Sequence, residues 1–190
     1  MPYHSQGQPV HDPKILRAIA HPVRNRILTE LTASGPMRAA DVARELDIPA
    51  NQASFHLRQL AKYGLVEEAP ELARDGRDRV WRARYEGGLS VNLEELTQEP
   101  GGKAAVAVFR KTWLATAHAM IDRADQPEKQ KDAMVAVSQT ALRLTKADAK
   151  KLAAELSDLV EAWRVKGQAR STARTYDLLW VLEPALDVES

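Results

Sequence analysis

The chain has 190 residues, with 27 Lys and Arg against 26 Asp and Glu and a formal net charge of +1, so bulk charge does not announce a nucleic-acid binder. Hydrophobic residues at 44% are ample for a core, and charged residues at 28% are ordinary for a globular surface. Cysteine is absent, which excludes disulfides, thiolate nucleophiles and Cys-ligated zinc or iron–sulfur centres, and no signal-peptide pattern or membrane-length apolar run is visible, so a cytoplasmic location without membrane contact is expected.

Residues 1–11, rich in Gln, Gly, Pro and His, read as a flexible arm. Asp12 before Pro13 supplies an N-cap and a pre-set first turn, after which Ile15, Leu16 and Ile19 recur at helical spacing up to His21. Pro22 opens a second helix with Val23, Ile27, Leu28 and Leu31 as its apolar stripe, closed by Ser34-Gly35-Pro36. A short third helix covers 39–46, turning Val42, Ala43 and Leu46 inward. The turn Asp47-Ile48-Pro49 leads to a fourth helix over 50–63, with Ala53, Leu57 and Leu60 facing the core and Gln52, Phe55, Arg58 and Gln59 facing away. Gly64 ends it.

From Leu65 the period changes to two. Residues 65–69 and 79–85 read as strands of a hairpin whose loop carries the turn signal Asp75-Gly76. Breakers around Gly87-Gly88 place the end of a first domain near 88, so 12–88 and 89–190 are expected to be separate domains. In the second, a long helix over 103–124 carries Val106, Phe109, Trp113, Ala117, Met120 and Ala124 at alternating steps of three and four, the pattern of a helix–helix seam. Thr145 and Asp148 resemble a capping box opening an amphipathic helix with Leu152, Leu156, Leu159, Val160 and Trp163 on one side. The runs 141–145 and 176–182 are expected to be strands that pair with each other, a purely helical second domain being the alternative.

The stretch 38–84 carries the chemistry. A helix-turn-helix needs a short turn and a small residue inside its second helix, where the two helices pack closely, and Ala53 meets that need. Asn51, Gln52, Ser54, Phe55 and Arg58 offer what base edges can read: amides for adenine, a guanidinium for guanine, a ring for the thymine methyl. The hairpin holds Arg74, Arg77, Arg79, Arg82 and Arg84, cations suited to a phosphate backbone or a minor groove, in the manner of a wing. Lys62 and Arg38 complete the basic set expected at DNA. Lys and Arg outnumber Asp and Glu by 13 to 11 over 12–86 and trail them by 14 to 15 over 87–190, so position rather than total charge supports the reading.

Residues 16–28 (Leu-Arg-Ala-Ile-Ala-His-Pro-Val-Arg-Asn-Arg-Ile-Leu), 41–46 (Asp-Val-Ala-Arg-Glu-Leu), 54–60 (Ser-Phe-His-Leu-Arg-Gln-Leu) and Gly64-Leu65-Val66 together resemble the winged-helix part of ArsR-type transcriptional regulators. The resemblance covers about 12–86 and implies a homodimer that binds operator DNA, most simply as a repressor, and changes affinity when a signal binds. Two departures stand out. Arg38 occupies the place of the usual Ser or Thr cap, and 37–46 lacks the cysteines of metal-sensing members, which removes thiolate sensing of arsenite, cadmium or lead.

The expected fold is therefore mainly α with a small β part: a winged helix-turn-helix followed by a C-terminal helical, α+β dimerisation domain. Ile15, Ile19, Phe109, Trp113 and Met120 are the dimerisation candidates, and Trp113, His118, Trp163, Tyr176 and Trp180 are candidates for a small-molecule effector site. His118 and Asp122, four apart on one helix face, suit zinc or nickel only if a second subunit completes the site; no metal or other cofactor is assigned, and His4 and His11 are incidental. His56 reads as a residue at the helix border, and the wing arginines have a plainer role in pairing with Asp75, Asp78, Glu67, Glu68 and Glu71. No phosphate loop, nucleophile elbow or carboxylate pair points to an enzyme. The competing readings are a protein-interaction module built on a helix-turn-helix and a nucleoid-type binder without sequence preference.

Overall fold

The computed structural model describes residues 7–73, 79–85, 87–126, 133–168 and 173–185. In chain order these form β1 (Gln8–Val10), α1 (Pro13–Ile19), α2 (Pro22–Ser34), β2 (Met37–Arg38), α3 (Ala39–Glu45), α4 (Ala50–Lys62), β3 (Val66–Glu68), β4 (Val80–Ala83), β5 (Leu89–Val91), α5 (Leu93–Gln98), α6 (Gly102–Ala124) and α7 (Lys146–Gln168), with a single 3-10 turn at Pro70–Leu72. The molecule is mainly helical, with a small β element beside α3 and α4 and further helices after it.

Local chemistry sets most boundaries. Asp12 Oδ1 accepts from the Lys14 N–H at 2.8 Å and Pro13 fixes the first turn of α1. The helix stops at Ile19, where Arg24 reaches back from α2 and donates to the carbonyls of Ala18 (2.6 Å) and Arg17 (3.2 Å), satisfying acceptors that the helix end leaves open. Gly64 ends α4 at φ +67°: its N–H donates to Ala61 O and the Leu65 N–H to Leu60 O, a closure that asks for a left-handed residue at that point. Asp47 fills the same place after α3 at φ +49°, with Ile48 N–H on Ala43 O, so the turn before α4 rests on an aspartate in a conformation glycine adopts more easily.

The core is built from α1, α2, α3, α4, the sheet and the first half of α6. Leu16, Ile27, Leu31, Val42, Leu57, Leu60, Leu65 and Leu96 are fully buried. β4 lies at the centre of a three-stranded sheet, antiparallel to β2 (Met37 opposite Trp81) and to β3 (Val66 opposite Ala83). At the corner between α5 and α6, a Cβ on Gly102 would lie 1.7 Å from the Leu96 carbonyl oxygen, so only glycine fits there.

Several expectations change. Residues 8–10 are not frayed: β1 pairs in parallel with β5, and Val10 is buried. The core does not stop near residue 88 either, because Val91, Leu93, Leu96, Ala105, Val106 and Phe109 join the same cluster as Leu16 and Leu57. Helix α5 was not anticipated, although Asn92 caps it by accepting from the Glu94 and Glu95 N–H groups. The expected strands at 141–145 and 176–182 are absent: both stretches lack regular secondary structure and do not pair with each other. Thr145 and Asp148 do form a reciprocal cap at the start of α7, the Thr145 N–H and Asp148 Oδ2 lying 3.2 Å apart. The hairpin tip with Asp75-Gly76, and residues 1–6 of the expected arm, lie outside the described residues.

Candidate nucleic-acid interface

α4 has two unlike sides. Ala53, His56, Leu57 and Leu60 are buried, while Asn51, Gln52, Phe55, Arg58 and Lys62 are exposed and Ser54 and Gln59 half-buried. This follows from the sequence, because apolar residues three and four apart occupy one stripe and the polar ones fall opposite. Asn51 Oδ1 accepts the Gln52 N–H at 2.9 Å, which leaves its amide nitrogen as the donor for a partner. Arg58 and Lys62 form no ion pair among the described residues. Phe55 is 50% exposed, its ring meeting that of His56 edge-on at 5.2 Å.

The wing is more neutral than the arginine count suggests. Arg79 pairs with Glu68 at 3.3 Å, and Arg82 bridges Glu67 (2.8 Å) and Glu71 (2.6 Å). The hydrogen bond to Glu67, before the charge of Glu71, raises the Arg82 pKa above its ordinary value. Solvent screening keeps exposed pairs of this kind weak, so a phosphate can displace them. Arg84 is exposed, without an ion pair among the described residues, and its guanidinium lies against Gly64 at the end of α4. Arg74 and Arg77 lie outside the described residues.

Arg38, expected to serve DNA, is also engaged within the chain. Its Nε and Nη2 grip Asp41 at 2.7 and 3.0 Å, and Arg44 adds a third contact at 2.8 Å. The Arg38 hydrogen bond is the main cause of an Asp41 pKa below the usual carboxylate range. Arg38 thus braces a carboxylate in the first turn of α3, where the helix dipole also favours negative charge.

Beneath α4, the rings of His21 and His56 lie 4.8 Å apart, each with a buried Nδ1 that has no hydrogen-bond partner among the described residues. Burial, and after it the Arg24 charge for His21 and the neighbouring His21 and Arg24 for His56, pushes both below the ordinary histidine range. The two rings are therefore neutral at pH 7 and buttress α4 from below. The pairing of His21 with His56 escaped sequence reasoning, for nothing local links residues so far apart in the chain.

These observations converge on one point. Residues 19–69 resemble a helix-turn-helix domain. They match the family model described as a helix-turn-helix domain, over a span that runs from the end of α1 to the residue after β3. In helix-turn-helix terms, α3 braces α4 and the residues exposed on α4 occupy the position of a recognition helix. No curated protein matches the chain.

The remaining candidates fall into three groups. Ile19 and Phe109 are buried in the chain's own core, and Ile15 is half-buried and packs against it. Trp113, Trp163, Tyr176 and Trp180 line one open cleft of about 1350 Å³ between α2, α6, α7 and the stretch 173–180, with Met120 beside them. His118 does not line it. His118 and Asp122 are exposed on α6, and among the described residues no group of three or more His, Cys, Asp or Glu is placed to hold a metal ion. No helix among the described residues is long and apolar enough to cross a membrane.

Proposed function

We propose that this chain is a sequence-specific DNA-binding transcriptional regulator that acts in the cytoplasm as a homodimer and represses by occupying its operator. In this reading α4 enters the major groove, where Asn51, Gln52, Ser54, Phe55 and Arg58 meet base edges, while Lys62, Arg79 and Arg84 meet phosphates. Arg74 and Arg77, outside the described residues, are expected from the sequence to add phosphate contacts. One observation carries the reading: α4 keeps a polar, cation-bearing side free while its opposite side is sealed into the core. A two-fold dimer would set its recognition helices about 34 Å apart on a pseudo-palindromic site. The aromatic cleft supports an effector site whose occupation changes the setting of α7 against α2, since Arg164 and Gln168 of α7 both donate to Thr32 O. Repression and signal response draw their support from the ArsR-like resemblance.

A second reading has its own observation. The pairing of Arg79 and Arg82 with carboxylates and the half-exposed Phe55 suit a surface that docks another protein. Selection of bound duplexes from a random pool separates the two. The regulator yields an enriched, pseudo-palindromic sequence protected in a footprint, whereas a docking module enriches none and retains a stoichiometric protein partner instead.

A further inference from the structure

The chain beyond Phe109 has apolar residues and no interior. None of its described residues is buried, yet Met134, Val137, Leu142, Trp163, Tyr176, Leu178 and Val181 are each more than half exposed. Residues 133–144 and 173–185 form no backbone–backbone hydrogen bond among the described residues, although the Met134 N–H reaches the Tyr176 hydroxyl at 3.3 Å. Their sequence is that of strands: Leu142 and Leu144 flank Arg143, and Tyr176, Leu178, Trp180 and Leu182 recur at every second residue. Unpaired N–H and C=O groups beside such side chains form a template for strand addition.

We propose that a second copy of this chain covers this surface, the segments 138–145 and 176–182 of each copy pairing as strands with those of the other across a two-fold axis. The inference rests on the dimeric part of the proposed function and gives it a location distinct from Ile15, Ile19 and Phe109. A second copy is favoured over another partner on three grounds. The exposed side chains of Met134, Val137, Leu142, Tyr176, Leu178 and Val181 need cover whenever the chain is folded, and a second copy is present whenever the first is. Arg143 in one segment and Glu183 at the end of the other are exposed, opposite in sign and without ion pairs among the described residues, so crossed pairing brings unlike charges together. With 14 Lys and Arg against 15 Asp and Glu over 87–190, two copies do not repel. The anchoring of α7 to Thr32, and of Thr175 to Glu30 at 2.9 Å, holds the segments in place with their outer sides open.

The test is sedimentation equilibrium of the full chain, joined to amide hydrogen exchange. The expected result is a dimer in which amides of 138–145 and 176–182 are protected and lose protection on dilution through the measured dissociation constant, while those of α2 and α4 do not change. Leu142→Lys with Trp180→Lys should raise the dissociation constant at least tenfold without altering exchange in α4. A monomer at every concentration, protection independent of dilution, or a double variant that dimerises as the wild type would each overturn the proposal. Failure of the DNA reading looks different: a chain that dimerises through these segments and selects no duplex keeps the interface and loses the regulator. A monomer that selects one does the reverse.

Discussion

The chain up to Phe109 and the chain beyond it treat their apolar residues in opposite ways. In the first part they interlock: Leu57 on α4, Leu16 on α1, Leu31 on α2 and Leu96 on α5 belong to one cluster, and the exposed side of α4 is held rigidly because its other side has nowhere to move. In the second part Leu159, Trp163 and Leu178 are open, and polar contacts tie α7 to the rest at Thr32 and the stretch after it at Glu30. A surface that reads a duplex needs a fixed platform, whereas a surface that joins copies or admits a ligand can remain incomplete until its partner arrives.

The sharpest way to break this contrast is a pair of truncations. Leu57→Ala, at a fully buried site, should lower the unfolding free energy in urea by about 2–5 kcal/mol. Leu159→Ala, measured below the dimer dissociation constant, should fall within about 0.5 kcal/mol of wild type, as exposed sites do. Equal losses would show that the two regions are packed alike. A smaller effect is expected at the wing, where Arg79→Ala should weaken binding to all duplexes alike and reduce the salt slope by about one, read from titrations at several salt concentrations.

pH sharpens the same contrast from beneath α4. His21 and His56 are both held below the ordinary histidine value, so below about pH 6.5 the unfolded chain takes up protons that the folded chain refuses. Stability should therefore be complete above that pH and fall as the pH drops toward the lowered folded values, with His56→Gln flattening the profile in urea unfolding. Asp41 adds a second acid loss at lower pH, since its stabilising contact with Arg38 vanishes once its depressed pKa is crossed. The smallest effect concerns Arg38 itself. Arg38→Ala should cost no more than about 1 kcal/mol of stability, the usual range for a partly exposed pair, and leave the DNA salt slope unchanged.

Legibility followed how local the deciding interactions are. The ends of α1 and α4 and the start of α7 could be read because Asp12, Gly64 and the Thr145–Asp148 pair act within a turn of their own helix. The outward side of α4 was legible for the same reason, spacing alone dividing Leu57 from Arg58. The parallel pairing of β1 with β5 was not, since Gln8 meets Leu89 across most of the first half of the chain and neither strand has more than three residues. The Arg38–Asp41 pair was not legible, because both charges are visible in the sequence but either could equally have been solvated. The alternation in 176–182 was real as a pattern, yet a strand also needs a neighbour, and the described residues of the chain do not provide one.

The central claim, that the outward residues of α4 read base edges, is tested most directly by measuring the affinity of Asn51→Ala, Phe55→Ala and Arg58→Ala for a selected duplex and for an unrelated one. Each should cost about 1–3 kcal/mol on the selected duplex and leave the unrelated duplex nearly unaffected apart from a small uniform loss for Arg58. Wild-type affinity for the selected duplex in all three variants would contradict the account.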